Sequence, residues 1–111
     1  MKIQTENHGA VAVVVPHGPL VGEETLDLQR ALAAAVAAKR RVVVDMTHVP
    51  YLDSRGIEML LEQCGGHVPA HQRPRLAALA ETCAEALELT DVLPRLEVFD
   101  TVENALRGLR R

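Results

Sequence analysis

Two runs of β-branched residues constrain the fold more than anything else in the chain. "AVAVVVP" covers residues 10–16, and "VVVD" covers residues 42–45. Valine packs well on pleated backbone and is stiff at χ1, so both runs favour strands. The second shows no apolar–polar alternation, which is the pattern of a strand buried on both faces. Between them, residues 23–38 place Leu28, Ala31, Leu32, Ala35 and Val36 on one helical face. Glu23 and Glu24 stand in the first turn of that helix, and Lys39-Arg40-Arg41 follow its end. Both placements complement the helix dipole.

The remaining elements extend the alternation. Residues 2–6 read as a first strand, joined to the second by the turn Asn7-His8-Gly9. Ile57, Leu60, Leu61 and Cys64 define a helix that Gly65-Gly66 stop. Residues 67–74 read as a loop, 75–80 as a fourth strand, 82–89 as a short helix and 96–100 as the last strand. Asp100 with Glu103 has the spacing of an acid-capped helix start, and Val102, Ala105, Leu106 and Leu109 form the final stripe. The order is β-β-α-β-α-β-α-β-α, an α/β class whose mostly parallel mixed sheet is covered by helices. The expected organisation is one domain over residues 1–111.

Composition narrows the function. Aromatics make up 2% of the chain, so stacking platforms for single-stranded nucleic acid are nearly absent. The formal net charge of -3 argues against a general binder of nucleic acid or anionic membrane. No apolar stretch reaches the ~20 residues of a membrane span, and "MKIQTENHGA" does not resemble a signal peptide. The reading is a cytoplasmic protein with no direct membrane insertion. Cys64 and Cys83 are expected to be reduced core thiols. Arg107, Arg110 and Arg111 form a basic end suited to a helix C-terminus.

The stretch "YLDSRGIEMLL" at 51–61 carries the chemistry. Asp53, Ser54 and Arg55 interrupt apolar sequence at the mouth of the second helix. Ser54 stands where an N-cap is expected, with Asp53 as a loop acid and Gly56 as a close-packing position. A serine there is reachable by another protein. Phosphate on it would add about -1.5 to -2 charges at pH 7. The helix N-terminus tolerates that charge, whereas a docked partner with acidic groups would not.

Strand "RVVVDMTHV" followed by "YLDSRGIEMLL" resembles the sulfate transporter and anti-sigma factor antagonist (STAS) domain, including its single-domain members, the anti-anti-sigma factors. The family's Gly-x-Leu is similar to Gly18-Pro19-Leu20, its Asp-Ser-x-Gly to Asp53, Ser54 and Gly56, and its late leucine pattern to residues 87–93. The resemblance implies that Ser54 is phosphorylated by an anti-sigma factor serine kinase. It implies that the unphosphorylated domain binds that kinase and releases a sigma factor, and that a phosphatase resets Ser54. The implied contact surface comprises Leu52, Asp53, Arg55, Gly56, Glu58 and Met59 with the loop Leu20–Val21. Two positions depart from the family pattern: Val21 where an acid is common, and Arg55 where a small residue is usual. Arg55 would then stabilise a phosphate or pair with Asp53.

Other constellations are weaker. Cys64, His67 and His71 fall short of the four ligands of a structural zinc site, and no cofactor or metal is expected. His8, His17 and His48 read as scattered, solvated loop residues. A Ser-His-Asp hydrolase lacks a Gly-x-Ser-x-Gly elbow here, so the chain does not read as an enzyme. A phosphoreceiver domain would need an acidic pair where Val15-Pro16-His17 stand. The rival within the resemblance is a non-switching STAS subunit of a lipid-transport ATPase complex or a stress-sensing assembly, docking through the same helix mouth.

Overall fold

A computed structural model describes residues 1–109. Arg110 and Arg111, part of the basic end, lie outside the described residues. The strands are β1 (Lys2–His8), β2 (Val11–His17), β3 (Arg41–Asp45), β4 (Arg75–Ala77) and β5 (Val98–Phe99). The α-helices are α1 (Thr25–Ala37), α2 (Ser54–Cys64), α3 (Glu81–Leu89) and α4 (Val102–Leu106). The element order is the one the sequence implies.

The five strands lie side by side in chain order, β1-β2-β3-β4-β5. β1 and β2 form the antiparallel hairpin, turning at Gly9, which takes φ +67. The pairs β2–β3, β3–β4 and β4–β5 are parallel. The sheet is therefore mixed and mostly parallel, with chain crossovers made by α1, α2 and α3.

β2 and β3 hold the two faces together. Val14, Val42, Val44 and Leu76 point into a core shared with Leu28 and Leu32 of α1, Leu60 and Cys64 of α2, and Cys83 and Leu87 of α3. Val11, Val13, Val15, Val43 and Ala77 form a second core against Ala105, Leu106 and Leu109 at α4. Each fully buried Val or Leu contributes about 1.5–3 kcal/mol relative to exposure. The absence of alternation in "VVVD" has this cause: both faces of β3 are covered.

The last two strands are shorter than their sequence pattern implies. β4 stops at Ala77 because Ala78 turns to φ 59, a left-handed conformation incompatible with continued pairing. β5 is only Val98–Phe99. The 67–74 loop contains a short 3-10 turn, Ala70–Gln72. Arg73 pins it, donating to the carbonyls of Gly65, Gly66 and Val68 and to Glu97 Oε1 at 3.0 Å. Cys64 and Cys83 are both free and buried, as expected of core thiols.

Candidate functional site: the mouth of helix α2

β3 ends at Asp45, where Oδ1 accepts the Thr47 N–H at 3.0 Å and the Thr47 hydroxyl. That local turn sends the chain over the C-terminal edge of the sheet, the usual functional edge in open α/β folds. The outgoing loop, residues 46–53, runs beside the loop that leaves β2. Gly18 N–H donates to His48 O at 3.0 Å, Leu20 N–H to Tyr51 O at 3.1 Å, and Asp53 N–H to Leu20 O at 3.1 Å. A parallel bridge joins Leu20 to Leu52. The two loops thus form a short extra pairing above the sheet. His17 and His48 sit at the same edge with rings stacked, centroids 4.5 Å apart. His17 Nε2 is 2.8 Å from Gln4 Oε1. These two histidines are not scattered, because the loop pairing brings them together.

Asp53, not Ser54, caps α2. Asp53 Oδ1 accepts the Gly56 N–H at 3.0 Å, and its Oδ2 accepts the Gly22 N–H at 2.9 Å. Ser54 is the first helical residue. The expected Ser54 cap is therefore corrected by one position. Carboxylate and hydroxyl both serve at N-caps. Here the longer acid satisfies an orphan N–H of the helix and also reaches the neighbouring loop, which a serine at the next position cannot do. The Gly56 N–H, then the Gly22 N–H, hold the Asp53 carboxyl below its ordinary range by stabilising the charged form. Gly22 adopts φ +51, a left-handed geometry that turns its N–H toward the acid.

With the cap supplied by its neighbour, Ser54 is exposed, and its hydroxyl makes no hydrogen bond among the described residues. Arg55 is also exposed, and no ion pair joins it to Asp53 among the described residues. Of the two roles open to Arg55 in the sequence, pairing with Asp53 is not realised. Glu58 is exposed, whereas Met59 is buried, flooring a groove of about 140 Å³ between α1 and α2 with Arg55, Glu58 and Glu62 on its rim.

Several residues expected at the surface work from beneath it. Leu20 is fully buried in the main core, and Gly56 is buried directly under it. A Cβ on Gly56 would strike the Leu20 carbonyl oxygen. Leu20 and Gly56 therefore set how closely α2 approaches the β2–α1 loop and do not themselves face a partner. Leu52 and Val21 are half-buried beside them. The role of Gly22 is not legible in the sequence, because it depends on a contact with Asp53 across 31 residues, whereas the Asp45–Thr47 turn is a local one.

The chain belongs to the STAS domain family, which matches residues 2–105. The fold agrees with solved structures of anti-sigma factor antagonists. One from Mycobacterium paratuberculosis is 23% identical with a TM-score of 0.81, covering 99% of this chain and 94% of that one. An anti-sigma-factor antagonist (STAS) domain protein from Planctomyces limnophilus is 22% identical with a TM-score of 0.70, covering 98% of both chains. The Bacillus cell fate determinant SpoIIAA has been solved in its phosphorylated form, 15% identical with a TM-score of 0.63, covering 95% of this chain and 96% of that one. A UDP-N-acetylmuramoyl-L-alanyl-D-glutamate--2,6-diaminopimelate ligase from Vibrio vulnificus is 34% identical over 87 residues, 68% of this chain. The chain spans only 18% of that ligase's length. No helix among the described residues is long and apolar enough to cross a membrane.

Proposed function

We propose that this STAS domain is an anti-sigma factor antagonist switched by phosphorylation of Ser54. In this reading the unphosphorylated form binds a kinase-type anti-sigma factor and releases its sigma factor, and a phosphatase restores the binding form. The domain acts by docking and performs no catalysis of its own. The observation that carries the reading is the division of labour at α2. Asp53 holds the helix start and the neighbouring loop, which leaves the Ser54 hydroxyl exposed and unbonded among the described residues.

Modification there leaves the cap in place. The added charge of about -1.5 to -2 sits beside Asp53 and near Glu58, with Arg55 as the adjacent cation. The helix N-terminus and Arg55 accommodate the phosphate locally, while the surface a partner must approach becomes more negative. The switch therefore changes binding without unfolding. The solved SpoIIAA structures, in unphosphorylated and phosphorylated forms, are fold neighbours that support this reading.

Ser54 is the sole serine of the chain, so the test is clean. Incubation with the cognate anti-sigma kinase and ATP should give phosphoserine, lost in Ser54→Ala. Ser54→Asp should bind the kinase at least about tenfold more weakly, a difference of 1.4 kcal/mol, and Ser54→Ala should bind as the native chain does. Equal binding by the two variants would replace the switch with the non-switching docking role.

A further inference from the structure

The end of α1 and the start of β3 meet the 67–74 loop around a cavity of about 290 Å³. Small-molecule sites begin at about this size. Val36, Lys39, Arg40, Arg41, His71 and Gln72 line it, and no acidic residue does. In a chain of net charge -3, that is a local reversal of sign. The cavity lies at the opposite end of β3 from the loop that carries Ser54.

Basic residues after a helix often serve its C-terminal carbonyls. Here the backbone serves them. Ala38 N–H donates to Ala34 O at 3.1 Å, Lys39 N–H to Val36 O at 2.9 Å, and Arg40 N–H to Ala35 O at 3.1 Å. Lys39 makes this turn at φ 59. The Arg40 guanidinium is engaged elsewhere, donating to Gly9 O at 3.1 Å and Val11 O at 3.0 Å, and so forms a fixed wall. The side chains of Lys39, Arg41, His71 and Gln72 have no hydrogen-bond or ion-pair partner among the described residues. Four free polar groups therefore share one cavity.

Their backbones are held in place. Arg41 opens β3 in register with Val11, and its N–H donates to Ala10 O at 3.2 Å. His71 and Gln72 belong to the 3-10 turn that precedes Arg73, whose guanidinium anchors the loop to Gly65, Gly66 and Val68. A ligand would meet donors whose positions are largely fixed before it arrives, which lowers the cost of binding.

We infer that this cavity binds a small phosphate monoester. Lys39 and Arg41 carry two permanent charges at neutral pH, matching the dianion that a monoester with a second pKa of about 6 becomes. The planar guanidinium of Arg41 suits two phosphate oxygens, and Lys39 supplies a point charge. His71 and Gln72 add N–H donors. A bare phosphate leaves much of the volume empty, and Val36 offers an apolar wall to the carbon body of an ester. No Phe, Tyr or Trp lines the cavity, so that body is a short aliphatic one and not a stacked base. The site stands apart from Ser54, and the inference does not depend on the phosphorylation switch.

Titration of the full, isotope-labelled chain with glycerol 3-phosphate, followed by amide NMR shifts at constant ionic strength, tests it. Saturable shifts should appear at Lys39, Arg40, Arg41, His71 and Gln72. Arg41→Gln and Lys39→Gln should each raise the dissociation constant at least about tenfold, the loss of one charged hydrogen bond. Lys39 is exposed, so Lys39→Gln should keep the native circular dichroism and stands as the test if Arg41→Gln, at the half-buried strand start, does not fold. Ser54→Ala should bind as the native chain does. Inorganic phosphate and succinate should each bind several-fold more weakly than the ester. No saturable shift at the cavity would overturn the assignment, as would an affinity unchanged in Lys39→Gln. Equal shifts at Arg95 and Arg107, exposed basic residues outside the cavity, would reduce it to a general attraction of anions. Succinate or inorganic phosphate binding as tightly as glycerol 3-phosphate would overturn the choice of a phosphate monoester.

Discussion

Helices α2 and α4 begin in the same way and differ in what their caps hold. At α2, Asp53 accepts the N–H three residues on, Gly56, at 3.0 Å. At α4, Thr101 accepts the N–H three residues on, Asn104, also at 3.0 Å. Thr101 has one side-chain oxygen, and its bond stays within α4. Asp53 has two, and the second reaches Gly22 in a different loop. The cap of α4 fixes one helix end, whereas that of α2 also fastens the helix to the loop that shapes the candidate site. A shared local geometry thus serves two purposes, and the number of acceptor atoms decides which.

The contrast is broken most severely from below, at Gly56. Any side chain there meets the Leu20 carbonyl, which belongs to the backbone of the fastened loop and cannot rotate away. Gly56→Val should therefore force α2 off the loop and destabilise the protein by about 3 kcal/mol, the upper range of overpacking. Gly56→Ala should cost less, because alanine recovers about 1 kcal/mol of helix propensity against the same clash. Urea denaturation of the two variants measures both, and a neutral Gly56→Val would mean that loop and helix are not held in contact.

Asp53 is the next point of attack, and it is open to pH. Its folded-state pKa lies below the ordinary 3.8, so the native state favours the charged form. The resulting stabilisation is present above the unfolded pKa and is lost as pH falls through the lower folded value. Stability should therefore drop between about pH 4 and the acid limit of folding, and Asp53→Asn should flatten part of that drop. The amide keeps one acceptor and cannot hold both N–H groups, so Asp53→Asn should also loosen the Gly22 loop. Faster amide hydrogen exchange at Gly22 in Asp53→Asn, with Asn104 unchanged, would separate the two kinds of cap.

How far the sequence discloses such features follows from their range. The strand–helix order, the covering of β3 on both faces and the Asp-Ser-x-Gly stretch all rest on neighbours within a few residues, and the structure has them. Local pattern places the two caps one residue off, in opposite directions. It favours Ser54 over Asp53 at α2, and Asp100 over Thr101 at α4. Adjacent Asp/Ser and Asp/Thr pairs offer two acceptors of nearly equal local merit. At α2 the deciding contact is Gly22, which no local pattern contains. The His17–His48 stack and the burial of Leu20 were hidden for the same reason, since both arise where the loops after β2 and β3 pair. The shortness of β4 and β5 turns on Ala78 and on a register set by neighbouring strands.

The smallest expected effect discriminates best between the two readings of the α2 mouth. If Ser54 were the cap, Ser54→Ala would remove a side-chain hydrogen bond and cost about 0.5–2 kcal/mol. Thr101→Ala should do so at α4, losing about 1 kcal/mol, because Thr101 is the only side chain bonded to that helix start among the described residues. Ser54→Ala removes a hydroxyl with no partner among the described residues, so its stability should stay within about 0.5 kcal/mol of the native chain. Chemical denaturation of the two variants side by side supplies the comparison. A loss in Ser54→Ala as large as that in Thr101→Ala would return the cap to Ser54. Such a hydroxyl would already be engaged, and phosphorylation could not reach it without undoing the helix start. A null result leaves Ser54→Ala as a folded, unmodifiable form, in which any change in partner binding reports on the switch and not on stability.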